Sequence, residues 1–191
     1  NACLDNRFAV CPAIDVLFLV EGTSAMNQDF GRHPDGFVGV MSAIRSWARQ
    51  APFSPTGPGF RAAMAIYGAG VQPSASMFAG NNSAPFIQSV NAFVATQPAF
   101  AASAGSSVNL QGALQSALTY FQTAALPGRT MITVVIGASK VTDGDLSIAN
   151  VIASLRGAGI QVFANLLTRF STLTQPDLMA GEFLAPLASE P

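Results

Sequence analysis

Hydrolysis, group transfer and redox chemistry each need a recognisable set of side chains, and the chain can be searched for each set in turn. His33 is the only histidine. A serine or cysteine relay, or a zinc site built on several imidazoles, has nothing else to draw on. His33 stands in Gly31-Arg32-His33-Pro34-Asp35, a turn ahead of a helical apolar stripe, where a solvated loop histidine is expected. A nucleophile elbow needs Gly-x-Ser-x-Gly, and Gly22-Thr23-Ser24-Ala25-Met26 does not supply it. Gly68-Ala69-Gly70-Val71-Gln72-Pro73 lacks the last glycine of a dinucleotide fingerprint and runs into a strand. There is no Gly-Lys-Ser/Thr phosphate loop. The expectation from these residues is a protein that is not an enzyme.

Composition narrows the field further. The chain has 191 residues, enough for one ordinary domain. Ten acidic residues face nine basic ones, for a net charge of -1, and no basic run builds a phosphate-neutralising stripe. Nucleic acid is therefore not an expected partner. Half of the residues are hydrophobic and only 10% are charged, which excludes a disordered tail. No apolar run approaches the ~20 residues that a membrane-spanning helix needs, so no membrane insertion is expected within this segment. A surface so sparsely charged points to a face that meets a protein partner.

Cys3 and Cys11 both precede the first long apolar run. They can bridge each other and close a small loop, or Cys11 can pair with a cysteine beyond Pro191. Asn81-Asn82-Ser83 is a glycosylation sequon in a turn rich in Gly, Asn, Ser and Pro, with Asn81 the acceptor. Together these features favour a secreted glycoprotein or the ectodomain of a surface protein. Residues 1–14 read as an N-terminal segment and 15–191 as a single domain.

The elements follow from periodicity. Asp15-Val16-Leu17-Phe18-Leu19-Val20 is a continuous apolar run behind one acid, the pattern of a strand buried on both faces of a parallel sheet. Phe37, Val40, Met41, Ile44, Trp47 and Ala48 recur at helical spacing. Residues 60–67 and 72–79 flank a glycine-rich turn and predict an antiparallel hairpin, with Pro73 placing the second strand at an edge. Ser83 and Pro85 predict the cap and first turn of a short helix carrying Ile87, Val90, Phe93 and Val94. A stretch of small residues, 100–108, then leads to a helix with Leu110, Leu114, Ala117, Leu118 and Phe121, stopped by Pro127-Gly128. Strands are predicted at 131–136 and 160–167, joined by a helix that Asp145 caps, and a last short helix at 176–188. Apolar strands alternating with amphipathic helices give a doubly wound α/β fold, mostly parallel, with one antiparallel edge strand and helices on both faces.

In such a sheet, ligands bind beyond the carboxyl ends of the strands. That rim holds Glu21-Gly22-Thr23-Ser24-Ala25, the helix start at Val108, and Gly137-Ala138. Here the chain resembles the von Willebrand factor type A domain over 11–191. Asp15 to Ala25 looks like that family's first strand and its Asp-x-Ser-x-Ser loop. Val108-Asn109-Leu110-Gln111-Gly112-Ala113-Leu114 is similar to its Thr-x-Thr-Gly-x-Ala-Leu helix start. Residues 155–164 resemble its helix-to-strand junction, and Leu187-Ala188-Ser189-Glu190-Pro191 its Ile-Ala-Ser-x-Pro segment. The family usually continues with one more strand and helix, which this segment is expected to lack.

The resemblance implies an adhesion fold with a rim site for Mg²⁺ or Mn²⁺, completed by a partner's carboxylate. This chain departs from the pattern at that site. Glu21 replaces the aspartate, Thr23 keeps an oxygen in place of the first serine, and Ala25 replaces the second. Val108 replaces the threonine, and Ala138 aligns with the aspartate after the fourth strand. Three of the five positions thus carry no side-chain oxygen, and Mg²⁺ needs an oxygen octahedron. The site is expected to be degenerate, with no metal cofactor; Glu21 and Thr23 are the weak remaining ligands. Glu21 itself reads either as a carboxylate satisfied by rim-turn N–H groups or the Thr23 and Ser24 hydroxyls, or as a remnant ligand. Asp143, in Val141-Thr142-Asp143-Gly144, would reach the rim only if the preceding strand ran on through Ser139-Lys140.

Two functions compete. The first is a non-enzymatic extracellular interaction domain, of the adhesion, matrix or fibre-forming kind, that binds proteins or itself without a bridging metal. The alternative is a cation-dependent adhesion domain with an altered ligand set of Glu21, Thr23, Ser24 and Asp143. Phe78, Phe86 and Phe100 are expected exposed anchors, and Arg32, Arg61 and Arg129 solvated residues near element ends.

Overall fold

Nine apolar-rich residues, Ala13–Glu21, form β1, the central strand of the sheet. The computed structural model describes residues 12–27, 36–74, 82–105, 107–139 and 145–167. Cys3, Cys11, Arg32, His33, Phe78, Asn81, Asp143 and the helix expected at 176–188 lie outside the described residues. After β1 come a single 3₁₀ turn (Ser24–Asn27), α1 (Gly36–Gln50), β2 (Gly59–Tyr67) and β3 (Val71–Pro73). These are followed by α2 (Ala84–Ala104), α3 (Leu110–Ala124), β4 (Thr130–Gly137), α4 (Asp145–Gly157) and β5 (Ile160–Leu166).

The five strands lie in the order β3-β2-β1-β4-β5. β1 pairs in parallel with β2 and β4, and β4 in parallel with β5; only β3 runs antiparallel, at the edge beside β2. This is the doubly wound, mostly parallel α/β fold expected from the pattern. Chain order runs outward from β1 in both directions, so the sheet has its switch point between β1 and β4.

Side chains of β1 alternate between two apolar layers. Val16, Phe18 and Val20 join Met41 and Ile44 of α1 and Phe86 and Val90 of α2. Leu17 and Leu19 join Leu110, Leu114 and Phe121 of α3 and Ile152 and Leu155 of α4. A strand buried on both faces has no polar side to show, which is why its sequence reads as one unbroken run.

Three expectations change at element boundaries. α2 does not stop near Val94 but continues through Pro98 to Ala104. Alanines at 99, 101, 102 and 104 favour it, and burial of Ala101 and Ala104 offsets the cost of Pro98. The helix ends at Gly105, whose φ of 60° is one that glycine adopts without strain. At its start, Ser83 makes no side-chain cap bond, and the Asn82 carboxamide oxygen accepts from the Ala84 N–H at 2.9 Å instead. Among the described residues the edge strand β3 covers Val71–Pro73, and 75–79 lie outside them. Phe86 is no exposed anchor: it is fully buried, 5.9 Å from the Phe18 ring and 6.2 Å from Trp47 between ring centroids.

Candidate functional site

The carboxyl ends of β1 and β4 meet at the switch point, and Glu21 is the last residue of β1. By strand alternation it shares the α3–α4 face with Leu17 and Leu19, and it is 1% exposed. Its carboxylate is held by four donors. Oε1 accepts from the hydroxyls of Thr23 and Ser139. Oε2 accepts from the backbone N–H groups of Ala138 at 2.7 Å and Ser139 at 2.9 Å. A carboxylate offers about four lone-pair sites, so this shell is full.

Neighbouring elements close around it. Gly22 donates its N–H to the Tyr67 carbonyl at 2.8 Å, tying β1 to β2 at the rim. The buried Tyr67 hydroxyl donates to the Ile136 carbonyl at 3.3 Å. Burial, and then the charge of Glu21, push the Tyr67 phenol well above its usual ionisation range. Gly137 has to be small: a Cβ there would stand 2.6 Å from the Tyr67 hydroxyl and 3.0 Å from Glu21 Oε2. On the other face of the sheet, Gln97 of α2 reaches the Gly22 carbonyl with its Nε2 at 3.1 Å. The Phe100 ring lies against Gly22 and Gly68, half-buried rather than displayed.

The positions picked out from sequence divide between these surroundings. Glu21, Thr23 and Ala138 come together, Ala138 through its backbone N–H. Ser24 and Ala25 belong to the 3₁₀ turn, with Ser24 exposed and Ala25 half-buried. Val108 is 1% exposed and packs in the α3–α4 core just ahead of the helix it starts. The helix cap is Asn109, whose Oδ1 accepts from the Gly112 N–H at 2.6 Å. Sequence reading missed Ser139 and Gln97. Ser139 lies past the end of β4 at Gly137, and sequence reading treated it only as a possible continuation of that strand. Gln97 is a polar residue on the buried stripe of an uncharged helix, and that mismatch was its signal.

The donor set can be compared with what Mg²⁺ or Mn²⁺ requires. Either ion takes oxygen ligands, and Mg²⁺ holds them in a strict octahedron. Two of the four groups around Glu21 are N–H donors, which repel a cation, and all four already use its lone pairs. These residues do not fit a resident divalent ion. Among the described residues there is also no group of three or more His, Cys, Asp or Glu that could hold a metal.

A second polar cluster lies at the opposite end of β1. Asp15, fully buried, accepts from Arg61 Nε at 2.8 Å, from Arg61 through a second nitrogen, and from Arg129 Nε at 2.6 Å. Arg129 also donates to the carbonyls of Gly57 (2.8 Å), Ile14 (2.9 Å) and Gly59 (2.7 Å). Arg61 donates to the Ala124 carbonyl at 2.9 Å. Arg61 and Arg129 are therefore not solvated: they are 8% and 7% exposed and bind the base of the sheet around one carboxylate. Their positions at strand starts suggested exposure, but Asp15 directly opposite Arg61 in the β1–β2 register captures both.

A groove of about 220 Å³ opens between α1 and the ends of β4 and β5. Among the described residues, Val40, Ile44, Ile136 and Leu167 line it, with Asn165 the one polar side chain. No described helix is long and apolar enough to cross a membrane.

No family model matches the sequence, and no curated protein matches it. Solved structures do. Manganese-loaded TRAP protein of Plasmodium vivax superposes with a TM-score of 0.64 at 10% identity, covering 96% of this chain and 66% of that one. Proximal thread matrix protein 1 of the mussel byssus, with zinc in its MIDAS motif, gives 0.64 at 9% identity over 94% of this chain and 40% of that one. The VWA domain of SpRpn10 gives 0.64 at 8% identity, covering 93% and 84%. The chain thus spans just under two thirds of the first of these proteins and two fifths of the second. Strand order, layer arrangement and these superpositions together establish that the chain has the von Willebrand factor type A fold.

Proposed function

We propose that this chain is a non-enzymatic interaction domain of an extracellular adhesion or matrix protein, and that it engages protein partners by direct surface contact without a bridging cation. The observation that carries this reading is the filled shell of Glu21: its lone pairs are taken by Thr23, Ser139 and the Ala138 and Ser139 amides. An acceptor with no free lone pair cannot present an open coordination site to a partner's carboxylate. The extracellular part of the reading is supported by the two cysteines near the N-terminus and the sequon of the sequence, and by the fold shared with a byssal matrix protein. The non-enzymatic part is supported by the sequence, which carries no nucleophile elbow, dinucleotide fingerprint or phosphate loop.

The partner surface would be weakly charged. Neither α2 nor α3 carries a single charged residue. Their outward residues, among them Gln88, Asn91, Thr96, Gln115 and Gln122, are neutral and hydrogen-bonding. On either of these two opposite faces, affinity would come from apolar burial and hydrogen bonds rather than ion pairs.

Isothermal titration with Mg²⁺ and with Mn²⁺ tests the proposal. The expected result is no saturable heat for either ion at millimolar concentration. Micromolar binding that disappears in Glu21→Ala would overturn it in favour of the cation-dependent alternative. Turnover of an ester or phosphate substrate by the pure protein would overturn the non-enzymatic part.

A further inference from the structure

Glu21 is a charged group in a place where charge is costly. It is 1% exposed, and none of its four donors is a cation. The ion cluster of Asp15 with Arg61 and Arg129 lies at the far end of β1, about 20 Å away at ordinary strand rise. Burying an unpaired carboxylate costs several kcal/mol unless its lone pairs are fully met, and charge-assisted hydrogen bonds are the strong ones. Each donor lost therefore leaves a buried lone pair unmet and loosens the arrangement locally.

The donors come from two separate exits of the sheet. Thr23 follows β1, while Ala138 and Ser139 follow β4, 117 and 118 residues away in sequence from Glu21. Two backbone amides in succession are pinned to one oxygen, which fixes the path of the chain as it leaves β4. A further strut reaches the same turn from the other face, where Gln97 donates to the Gly22 carbonyl and Phe100 packs on Gly22. A third ties the start of α3 to the β2–β3 turn, through the Asn109 N–H and the Gly68 carbonyl at 2.8 Å.

We propose that Glu21 is a positioning residue: its carboxylate cross-links the exits of β1 and β4 and holds the rim in one conformation, so that the surface offered to a partner is preset by the chain itself. This rests on the reading of the chain as a protein-interaction domain that engages partners without a bridging cation. It assigns Ser139 a specific part, since that one residue supplies both an N–H and a hydroxyl to the carboxylate.

Residue-resolved amide hydrogen exchange tests the cross-link without requiring any partner. In the unmodified chain the Ala138 and Ser139 amides are expected to be protected although β4 has already ended. Glu21→Gln keeps the shape, removes the charge and replaces one acceptor oxygen by an NH₂ that faces donors. It should speed exchange at both amides by about tenfold or more, leaving Leu17 and Val135 within about twofold, because local opening is read separately from global unfolding. Ser139→Ala should speed exchange at the same amides, and Ser139→Thr, which retains the hydroxyl, should restore protection. If Glu21→Gln fails to fold, the Ser139 pair carries the test, since that side chain is only half-buried. Exchange at Ala138 and Ser139 that stays within twofold of the unmodified rate in the folded variants would overturn the proposal. So would protection lost equally across all of β4, which marks a merely structural role. Neither result touches the question of cation binding, so failure of the cross-link and failure of the metal-free reading are told apart.

Discussion

Asp15→Asn is the sharpest probe of what holds the base of the sheet. Asparagine preserves shape but removes the charge and turns one acceptor oxygen into an NH₂ donor facing a guanidinium. Asp15 takes three hydrogen bonds from guanidinium nitrogens and one, at 3.4 Å, from the Leu126 N–H. Arginine does not deprotonate in proteins, so Arg61 and Arg129, 8% and 7% exposed, would both lose the charge of Asp15. Arg129 would keep its carbonyl partners at Gly57, Ile14 and Gly59, and Arg61 its bond to Ala124, which limits the damage. Breaking a buried pair by removing one partner costs about 3–5 kcal/mol. For a chain of this length that lowers Tm by roughly 2–4 °C per kcal/mol, or about 6–20 °C in all. Urea unfolding followed by far-UV circular dichroism reads the loss as a lower midpoint at unchanged slope. Arg45→Ala, at a surface residue bonded to Asn91, serves as the control and should cost no more than about 0.5 kcal/mol. A triple variant with apolar residues at 15, 61 and 129 should recover most of the loss, since a buried charge cluster can be replaced by packing. A cost below about 1 kcal/mol for Asp15→Asn would refute the reasoning, because removing the shared carboxylate of a buried ion cluster cannot be that cheap.

Two further outcomes follow from buried polar groups on the same face. Burial and Glu21 raise the ionisation of Tyr67, so the folded chain keeps its phenolic proton where the unfolded chain has lost it. The stability this contributes is whole below about pH 10 and falls as pH rises from there towards the folded value. Tyr67→Phe should therefore flatten the alkaline decline, read as the change in urea midpoint between about pH 9 and about pH 11. Thr133 Oγ1 is buried without a hydrogen-bond partner on β4. Thr133→Val removes that unsatisfied group at nearly constant shape and should be neutral or stabilising by up to about 1 kcal/mol in the same assay; a loss above that would reveal a hidden partner.

The fold was legible because the parallel strands are buried on both faces and therefore read as unbroken apolar runs between helical stripes. Residues 60–67 and 131–136 marked two of these strands to within a residue or two of β2 and β4. Boundaries that depend on tertiary contact were not legible. The alanines after Pro98 looked like a loop, yet packing of Ala101 and Ala104 into the rim carries α2 on to Gly105. The site was legible only in part. Glu21 and Thr23 stood in a motif and were found, whereas Ser139 joins them through a contact 118 residues long that no local pattern announces. Asp15, Arg61 and Arg129 were missed as a unit for the same reason: an ion cluster exists in the strand register, not in spacing along the chain.

The central claim, that the rim is closed by Glu21 rather than by an ion, meets its most direct test in thermal unfolding with and without divalent cations. An ion bound only by the folded chain stabilises it by RT ln(1 + [L]/Kd), about 4 kcal/mol at a thousandfold excess over Kd. At this chain length that is a rise of roughly 8–16 °C. The account predicts that Tm in about 10 mM Mg²⁺ or Mn²⁺ stays within about 1 °C of its value in chelator, in the parent chain and in Ser139→Ala alike. A rise of several degrees with either ion, abolished by Glu21→Gln, would contradict it.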